Sequence, residues 1–363
     1  MRVAEMVSGR DIDGAIRCCL ILCRELAARG HEVTLCHSPD AWIASQIDRT
    51  AIRPVAVHFA RDPDELRRVA GIIRELDIDV LHTHRTGASN LGVRVRRAAD
   101  VPVVATLHSG KPEMHWLYND RAIALSERTF RRLRRLHPFH RERIAFIPNF
   151  IEPGERGEPD MTERQALRRS FGIAPETFVV GCIGVVSDEK RQRDLVAAMK
   201  QVLAAGIDCH LVLIGLSWRG EGERIGRQVA SAGLEGRVTL TGIREDARTL
   251  LGMFDVYASA SAREEMPLTV MEAMSAGLPI VATDVGSLSL LVSENRNGFL
   301  TGVGAVDAIA DRLIRLARAP DLRRAMGAAS AERILAEFSP EQIVPRIEGT
   351  LAEAAAGGIR NRR

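Results

Sequence analysis

The sequence predicts an α/β protein made of two doubly wound parallel domains, and three observations carry that expectation. The chain has 363 residues, too long for one ordinary core and suited to two of roughly 150–200 residues each. Short apolar, β-branched runs alternate with longer helical patterns from end to end, as expected of parallel sheets covered on both faces. A polar, Pro- and Gly-rich stretch, PNFIEPGERGEPD from Pro148 to Asp160, interrupts the alternation near the middle.

The strand candidates of the first half are RVAEMVS, HEVTLCH, DVLHTH, VPVVATLH, RAIALS and RIAFIP. Those of the second half are TFVVGCIGVV, CHLVLIG, RVTLTG, DVYASAS and LPIVATD. Between the first two strands, AIRCCLILCRELAARG has a helical apolar pattern and ends at Gly30, a natural C-cap. From Val306 through Ala355 the chain reads as helix. The expected division is 1–150 and 151–340, both Rossmann-like, then 341–363, a C-terminal helix with a frayed basic tail. Ligands of such sheets bind beyond the carboxyl ends of the strands. With two domains facing across a cleft, the functional residues are expected just after strands.

Composition narrows the class. Apolar residues at 46% and charged residues at 27% are ordinary for a globular chain. The net charge of +3 is uneven: residues 1–150 hold 24 Lys+Arg against 18 Asp+Glu (+6), the remainder 26 against 29 (−3). A basic first half suits an anionic ligand or surface, or is a set of solvated arginines. No aromatic stacking series accompanies the charge, so nucleic acid is not expected as a partner. The cysteines, Cys18, Cys19, Cys23, Cys36, Cys182 and Cys209, form no Cys-x-x-Cys pair, which points to a reducing cytoplasm and away from a zinc site. The N-terminal MRVAEMVSGRDIDG lacks the apolar core of a signal peptide. No apolar run reaches the ~18 residues of a membrane span. Asp-x-Asp pairs occur at Asp11/Asp13, Asp62/Asp64 and Asp77/Asp79, each without the surroundings of a metal site.

The most informative segment is SAREEMPLTVMEAMSAGLPIVATDVGS. A helix is expected to start near Pro267, since proline fits a first helical turn. Its free first-turn amides and positive dipole end would seat a phosphate. Glu264 and Glu272 lie eight apart, and Glu272 falls within that helix, where a carboxylate can accept both hydroxyls of a ribose. Two acidic residues alone carry little weight; the full string does. With Ser261, Glu264, Pro267, Glu272, Ala273, Met274, Gly277, Pro279 and Thr283 in register, it resembles the Glu-x7-Glu signature of the family-4 retaining glycosyltransferases, which have the GT-B fold. Gly14, RGHEV (Arg29–Val33), DVLHTH (Asp79–His84), TLHSG with Thr106 and His108, Pro148–Asn149, TGIREDARTLLGMFDVYASAS and NGFL (Asn297–Leu300) extend the likeness over most of the chain.

That resemblance implies an acceptor-side first domain and a second domain that binds a nucleotide-diphosphate sugar. Glu272 would hold the ribose, Glu264 would approach the donor sugar, and amides near Leu268 and Thr269 would hold the diphosphate. His108 would touch the donor sugar as a positioning group, with His82 and His84 weaker candidates and at least one of them structural. Gly14, on the loop before the first helix, would let backbone approach phosphate or acceptor, and Lys190 would neutralise the leaving group. No obligatory metal and no further cofactor is implied. The chain departs from the family where an Arg usually precedes the Lys190 position: Val185 or Ser187 stands there, with Arg191 or Arg193 either a replacement or a solvated charge. Ser287 and Leu290 are further departures. A catalytically weakened relative that binds nucleotide sugar or a partner therefore stays open beside the transferase. Finally, Arg128 to Arg143 sets Phe130, Leu133 and Leu136 beside seven arginines. This is either a basic amphipathic helix on the cytoplasmic face of an anionic membrane, ended by Pro138 and suited to lipid-linked acceptors, or a surface helix packed through those three residues.

Overall fold

The computed structural model describes residues 1–109, 114–136, 141–152 and 161–360. Most of the linker, Pro138, part of the loop from Ser109 to Asp120 and the last three residues lie outside them. The chain divides into two compact units, one of Met1–Glu152 together with the chain from Phe338 onward, the other of Pro153–Glu337.

The first unit holds β1 (Arg2–Val7), β2 (Glu32–His37), β3 (Ile52–Ala56), β4 (Val80–His84), β5 (Val103–Leu107), β6 (Arg121–Ala124) and β7 (Ile144–Phe146) in the order β3-β2-β1-β4-β5-β6-β7. Every pairing is parallel. Its helices are α1 (Gly14–Ala28), α2 (Pro63–Glu75), α3 (Arg85–Ala99) and α4 (Glu127–Leu136). The second unit holds β8 (Phe178–Ile183), β9 (Cys209–Ile214), β10 (Val238–Leu240), β11 (Val256–Ser259), β12 (Ile280–Thr283) and β13 (Gly298–Thr301), ordered β10-β9-β8-β11-β12-β13 and again parallel. Its helices are α5 (Met161–Ser170), α6 (Gln192–Ala204), α7 (Glu221–Ala232), α8 (Leu268–Ser275), α9 (Leu288–Leu291), α10 (Val306–Arg318) and α11 (Pro320–Glu337); α12 (Pro340–Arg360) returns to the first unit. In each sheet the order reverses at one place, between β1 and β4 and between β8 and β11. Those two switch points are where ligands bind in such sheets.

The local chemistry explains the elements. Asp13 caps α1 by accepting from the Ile16 amide at 2.9 Å. At the other end Gly30, at φ +84°, lets its own amide and that of His31 reach the carbonyls of Ala27 and Leu26. All six cysteines are buried thiols outside any disulfide. Strand β3, IRPVA, escaped the sequence reading because Pro54 interrupts it; at a sheet edge the missing amide costs nothing. Strand β13 begins at Gly298, where a Cβ would sit 2.1 Å from the Ile280 carbonyl oxygen, so the family-like NGFL string serves strand packing.

In the second unit Asp255, just ahead of β11, ties α5 to the sheet. Arg164 and Arg168 both reach its carboxylate at 2.8 Å, and Arg168, almost wholly buried, also donates to the carbonyls of Met253, Pro175 and Thr177. In the first unit α12 is held by a His31–Glu348 contact of 2.9 Å, an Arg346 bond to the Phe146 carbonyl and an Arg121–Glu353 pair. The terminal helix thus completes the first unit, a partnership its sequence position does not announce.

Candidate functional site

At the β8/β11 switch point the two loops meet. The Ala262 amide donates to the Glu189 carbonyl at 2.8 Å. Lys190 Nζ donates to Glu264 Oε1 at 2.6 Å, and Ser261 Oγ donates to the same oxygen at 2.7 Å. Glu264 is nearly buried, so two donors hold its carboxylate in one orientation. Gly286, at φ +62°, supports this loop from behind: a Cβ there would lie 2.1 Å from the Glu264 carbonyl oxygen. The next residue, Ser287, donates its amide to the Glu265 carbonyl. The Ser287 departure therefore keeps a backbone job that any residue with an amide N–H could do.

Helix α8 starts immediately after this loop. Pro267 sits outside it as the N-cap, at φ −74° and ψ 116°, one residue earlier than its expected place in the first turn. Its carbonyl accepts the Met271 amide. The amides of Leu268 and Thr269 precede that first intrahelical bond, which aims them out of the helix start. Glu272, buried one turn on, has Arg248 Nε 3.6 Å from its carboxylate; sequence reasoning left Arg248 unmarked inside TGIREDARTLL. Val185 is exposed and supplies no charge. Arg191 pairs with Asp194 at 2.7 Å, and Arg193 pairs with Asp188 and Glu221. Both candidate replacements for the family Arg are thus engaged by acids of their own surface.

The first unit places a different constellation at its switch point. Glu5 on β1 stands in register with His82 on β4, and His84 with Thr106 on β5. Alternation along β4 puts both imidazoles on one face. Glu5 Oε1 lies 3.0 Å from His82 Nδ1 and Oε2 lies 2.8 Å from His84 Nε2. His82 Nε2 is 2.8 Å from Thr106 Oγ1, and His84 Nδ1 is 3.0 Å from His108 Nε2. Burial by itself would raise the Glu5 carboxyl, but the charges and hydrogen bonds of His82 and His84 hold it at about 2. Burial, and then neighbouring charge, pushes His84 down and His108 well down from the usual imidazole range. The two ring N–H groups that Glu5 accepts account for its direction, whereas burial outweighs the carboxylate's pull on His84. Cys19 Sγ shares the cluster, within 4.8 Å of the Glu5 and His84 ligand atoms; the hydrogen bonds alone satisfy both carboxylate oxygens. Glu5 went unmarked in the sequence, although an acid inside the apolar run RVAEMV was the available signal.

Gly14 does not lie on the loop before α1. Because Asp13 caps the helix, Gly14 is its first residue. The loop glycine that needs its conformation is Gly9, at φ +119°, where a Cβ would meet the Arg85 guanidinium at 1.9 Å. Arg85, itself at φ +71°, pairs with Asp13 at 3.2 Å.

The other candidates find local structural work. Asp62 caps α2, and Asp77 and Asp79 both pair with Arg2. In α4, Leu133 is buried and Phe130 packs against Phe146 at 6.1 Å between ring centroids, leaving Leu136 exposed. The apolar stripe that lipid insertion would need is largely used inside the first unit, which favours the surface-helix reading. No helix among the described residues is long and apolar enough to cross a membrane.

Comparison with known proteins agrees with the architecture. The family model described as Glycosyltransferase Family 4 matches residues 12–155, and the model for Glycosyl transferases group 1 matches residues 163–333. The chain belongs to the family-4 glycosyltransferases, with the GT-B fold. Among similar proteins, the N-acetyl-alpha-D-glucosaminyl L-malate synthase of Bacillus anthracis is 25% identical over 355 residues, covering 90% of each chain. The phosphatidyl-myo-inositol mannosyltransferase of Mycobacterium leprae is 26% identical over 351 residues, covering 89% of each. The crystal structure of Anabaena HepE in complex with UDP and glucose superposes with a TM-score of 0.83 at 21% identity, over 97% of this chain and 99% of that one. In this glycosyltransferase, Ser261, Glu264, Pro267 and Glu272 of the family signature lie together at the β8/β11 switch point.

Proposed function

We propose that the protein is a retaining, metal-independent glycosyltransferase that moves a sugar from a nucleotide-diphosphate sugar to an acceptor hydroxyl in cell-envelope glycan or glycolipid assembly. The observation that carries this is the junction of Lys190, Glu264 and the start of α8 at the β8/β11 switch point. Glu272 takes the ribose hydroxyls. The amides of Leu268 and Thr269, with Lys190, take the diphosphate and stabilise the charge that develops on it. Glu264 orients the donor sugar, and His108 in the first unit is a group that can hydrogen-bond a sugar hydroxyl. The anomeric carbon–phosphate oxygen bond breaks while the acceptor oxygen bonds to that carbon on the same face, and the acceptor proton passes to the departing phosphate oxygen. No protein nucleophile enters. The names of the Bacillus and Mycobacterium relatives, a malate and a phosphatidylinositol enzyme, support small anionic or lipid acceptors. Six buried thiols outside any disulfide fit a cytoplasmic setting.

One observation favours a second reading, a binding protein with weakened catalysis: the cation missing at Val185 or Ser187 is not replaced by Arg191 or Arg193, both of which are paired. Thermal unfolding with a panel of nucleotide sugars, with and without EDTA, tests both. A ligand at 100 times its Kd adds about 2.7 kcal/mol, a shift readily seen. The transferase reading expects one nucleotide class to stabilise the wild type regardless of EDTA and to fail with Glu272→Ala, followed by turnover of that donor. Binding without turnover selects the second reading, and no binding by any nucleotide sugar removes the transferase reading and leaves only a partner-binding relative.

A further inference from the structure

The Glu5 cluster is more than a packed polar site. An ionised carboxylate only accepts hydrogen bonds, so the ring atoms facing it, His82 Nδ1 and His84 Nε2, must both carry protons. A neutral imidazole has one N–H. His84 Nδ1 is then bare and can only accept, which requires His108 Nε2, 3.0 Å away, to donate. On the other arm His82 Nε2 lies 2.8 Å from the Thr106 hydroxyl, which can serve it as donor or acceptor. Every donor and acceptor in the chain Thr106–His82–Glu5–His84–His108 is matched in this assignment. Glu5 and His82 are completely buried, His84 nearly so, and only His108 at the far end reaches partial exposure.

We propose that Glu5 is a positioning residue: through His84 it holds His108 with its proton on Nε2, so that the ring meets a sugar hydroxyl with Nδ1 as a hydrogen-bond acceptor. This rests on the reading of His108 as a sugar-contacting group. A glutamine at position 5 would replace one accepting oxygen with an NH2 donor, and an apolar residue would accept neither imidazole proton. That requirement explains a fully buried acid flanked by the apolar residues Val3, Ala4, Met6 and Val7, a placement that is costly unless each oxygen is satisfied. If the carboxylate were absent, His84 could move its proton to Nδ1, with the Cys19 thiol, inside the same 4.8 Å cluster, available to its Nε2. His108 would then receive on Nε2 and present an N–H from Nδ1, the wrong polarity for a hydroxyl oriented as donor.

The test is a long-range proton–nitrogen NMR spectrum of the full chain labelled with 15N-histidine, His108 being assigned by the signal lost in His108→Asn. The wild type should show His108 as the single Nε2-protonated tautomer. In Glu5→Met its proton should move to Nδ1 in part or in full, and the rate of sugar release from donor should fall about tenfold, the size of one lost neutral hydrogen bond. Affinity for UDP or GDP, which lack the sugar, should stay within about twofold. A wild-type His108 protonated on Nδ1 overturns the proposal without any variant, so it remains testable if Glu5→Met fails to fold. An unchanged His108 tautomer in folded Glu5→Met also overturns it and leaves Glu5 a purely structural role. If no nucleotide binds the wild type, the donor reading falls while the tautomer result still decides the role of Glu5.

Discussion

Replacing Lys190 by methionine separates two roles that the geometry superimposes. The Nζ group donates to Glu264 Oε1 at 2.6 Å while Ser261 Oγ donates to the same oxygen at 2.7 Å. The side chains are 29% and 9% exposed, so the glutamate is the shielded partner and loses more when the pair is broken. Methionine keeps the stem and deletes the charge. A hydrogen bond to a charged group contributes about 1.5–3 kcal/mol; with Ser261 still in place and Lys190 partly solvated, the loss of stability should be about 1–2 kcal/mol. If Lys190 also neutralises the departing diphosphate, turnover should fall by about 100-fold, near 3 kcal/mol of transition-state stabilisation. Glu264→Gln relieves the first loss and leaves the second. In the double variant, stability measured by urea unfolding should recover with a coupling of about 1–2 kcal/mol. Calorimetric affinity for UDP or GDP should remain as low as in Lys190→Met alone. Nucleotide affinity equal to wild type in Lys190→Met, or restored in the double variant, would refute the donor role and make Lys190 only the counter-ion of Glu264.

Three further outcomes follow from the same geometry. His84 and His108 are held below the usual imidazole range by burial and neighbouring charge. Their contribution to stability is therefore complete above about pH 6.5 and lost as the pH falls below it, with a slope of up to ~1.4 kcal/mol per pH unit for each ring. Glu5, held at about 2 from 4.5, adds a second loss as the pH drops through that window; urea midpoints should decline on acidification, and His108→Asn should flatten the upper limb. Asp255→Asn leaves Arg164 and the buried Arg168 without their carboxylate and should cost about 3–5 kcal/mol in unfolding free energy, whereas an unaffected melting curve would deny Asp255 that role. Gly286→Ala puts a Cβ 2.1 Å from the Glu264 carbonyl at φ +62° and should cost about 2–4 kcal/mol from left-handed strain and overpacking. Nucleotide affinity should fall with it, because the Glu264 loop must move.

What the amino-acid order determined by itself was the alternation of apolar runs and helices, hence two parallel sheets, and the Ser261–Thr283 string. Both are local: periodicity needs only neighbours along the chain, and the signature residues run continuously from the loop after β11 through α8 into β12. Strand β3 was hidden because Pro54 breaks the run at an edge where no partner needs its amide. Only the tertiary structure decided that Lys190 faces Glu264 across 74 positions, that Arg191 and Arg193 are engaged elsewhere, and that α12 completes the first unit. The same holds for Glu5, His82, His84 and His108, which come from β1, β4 and the end of β5 and share no sequence window. Strand register alone brings that acid and three imidazoles into one chain of hydrogen bonds. A buried carboxylate's meaning depends on which donors surround it, and that is a property of the sheet order and not of the neighbouring residues in the chain.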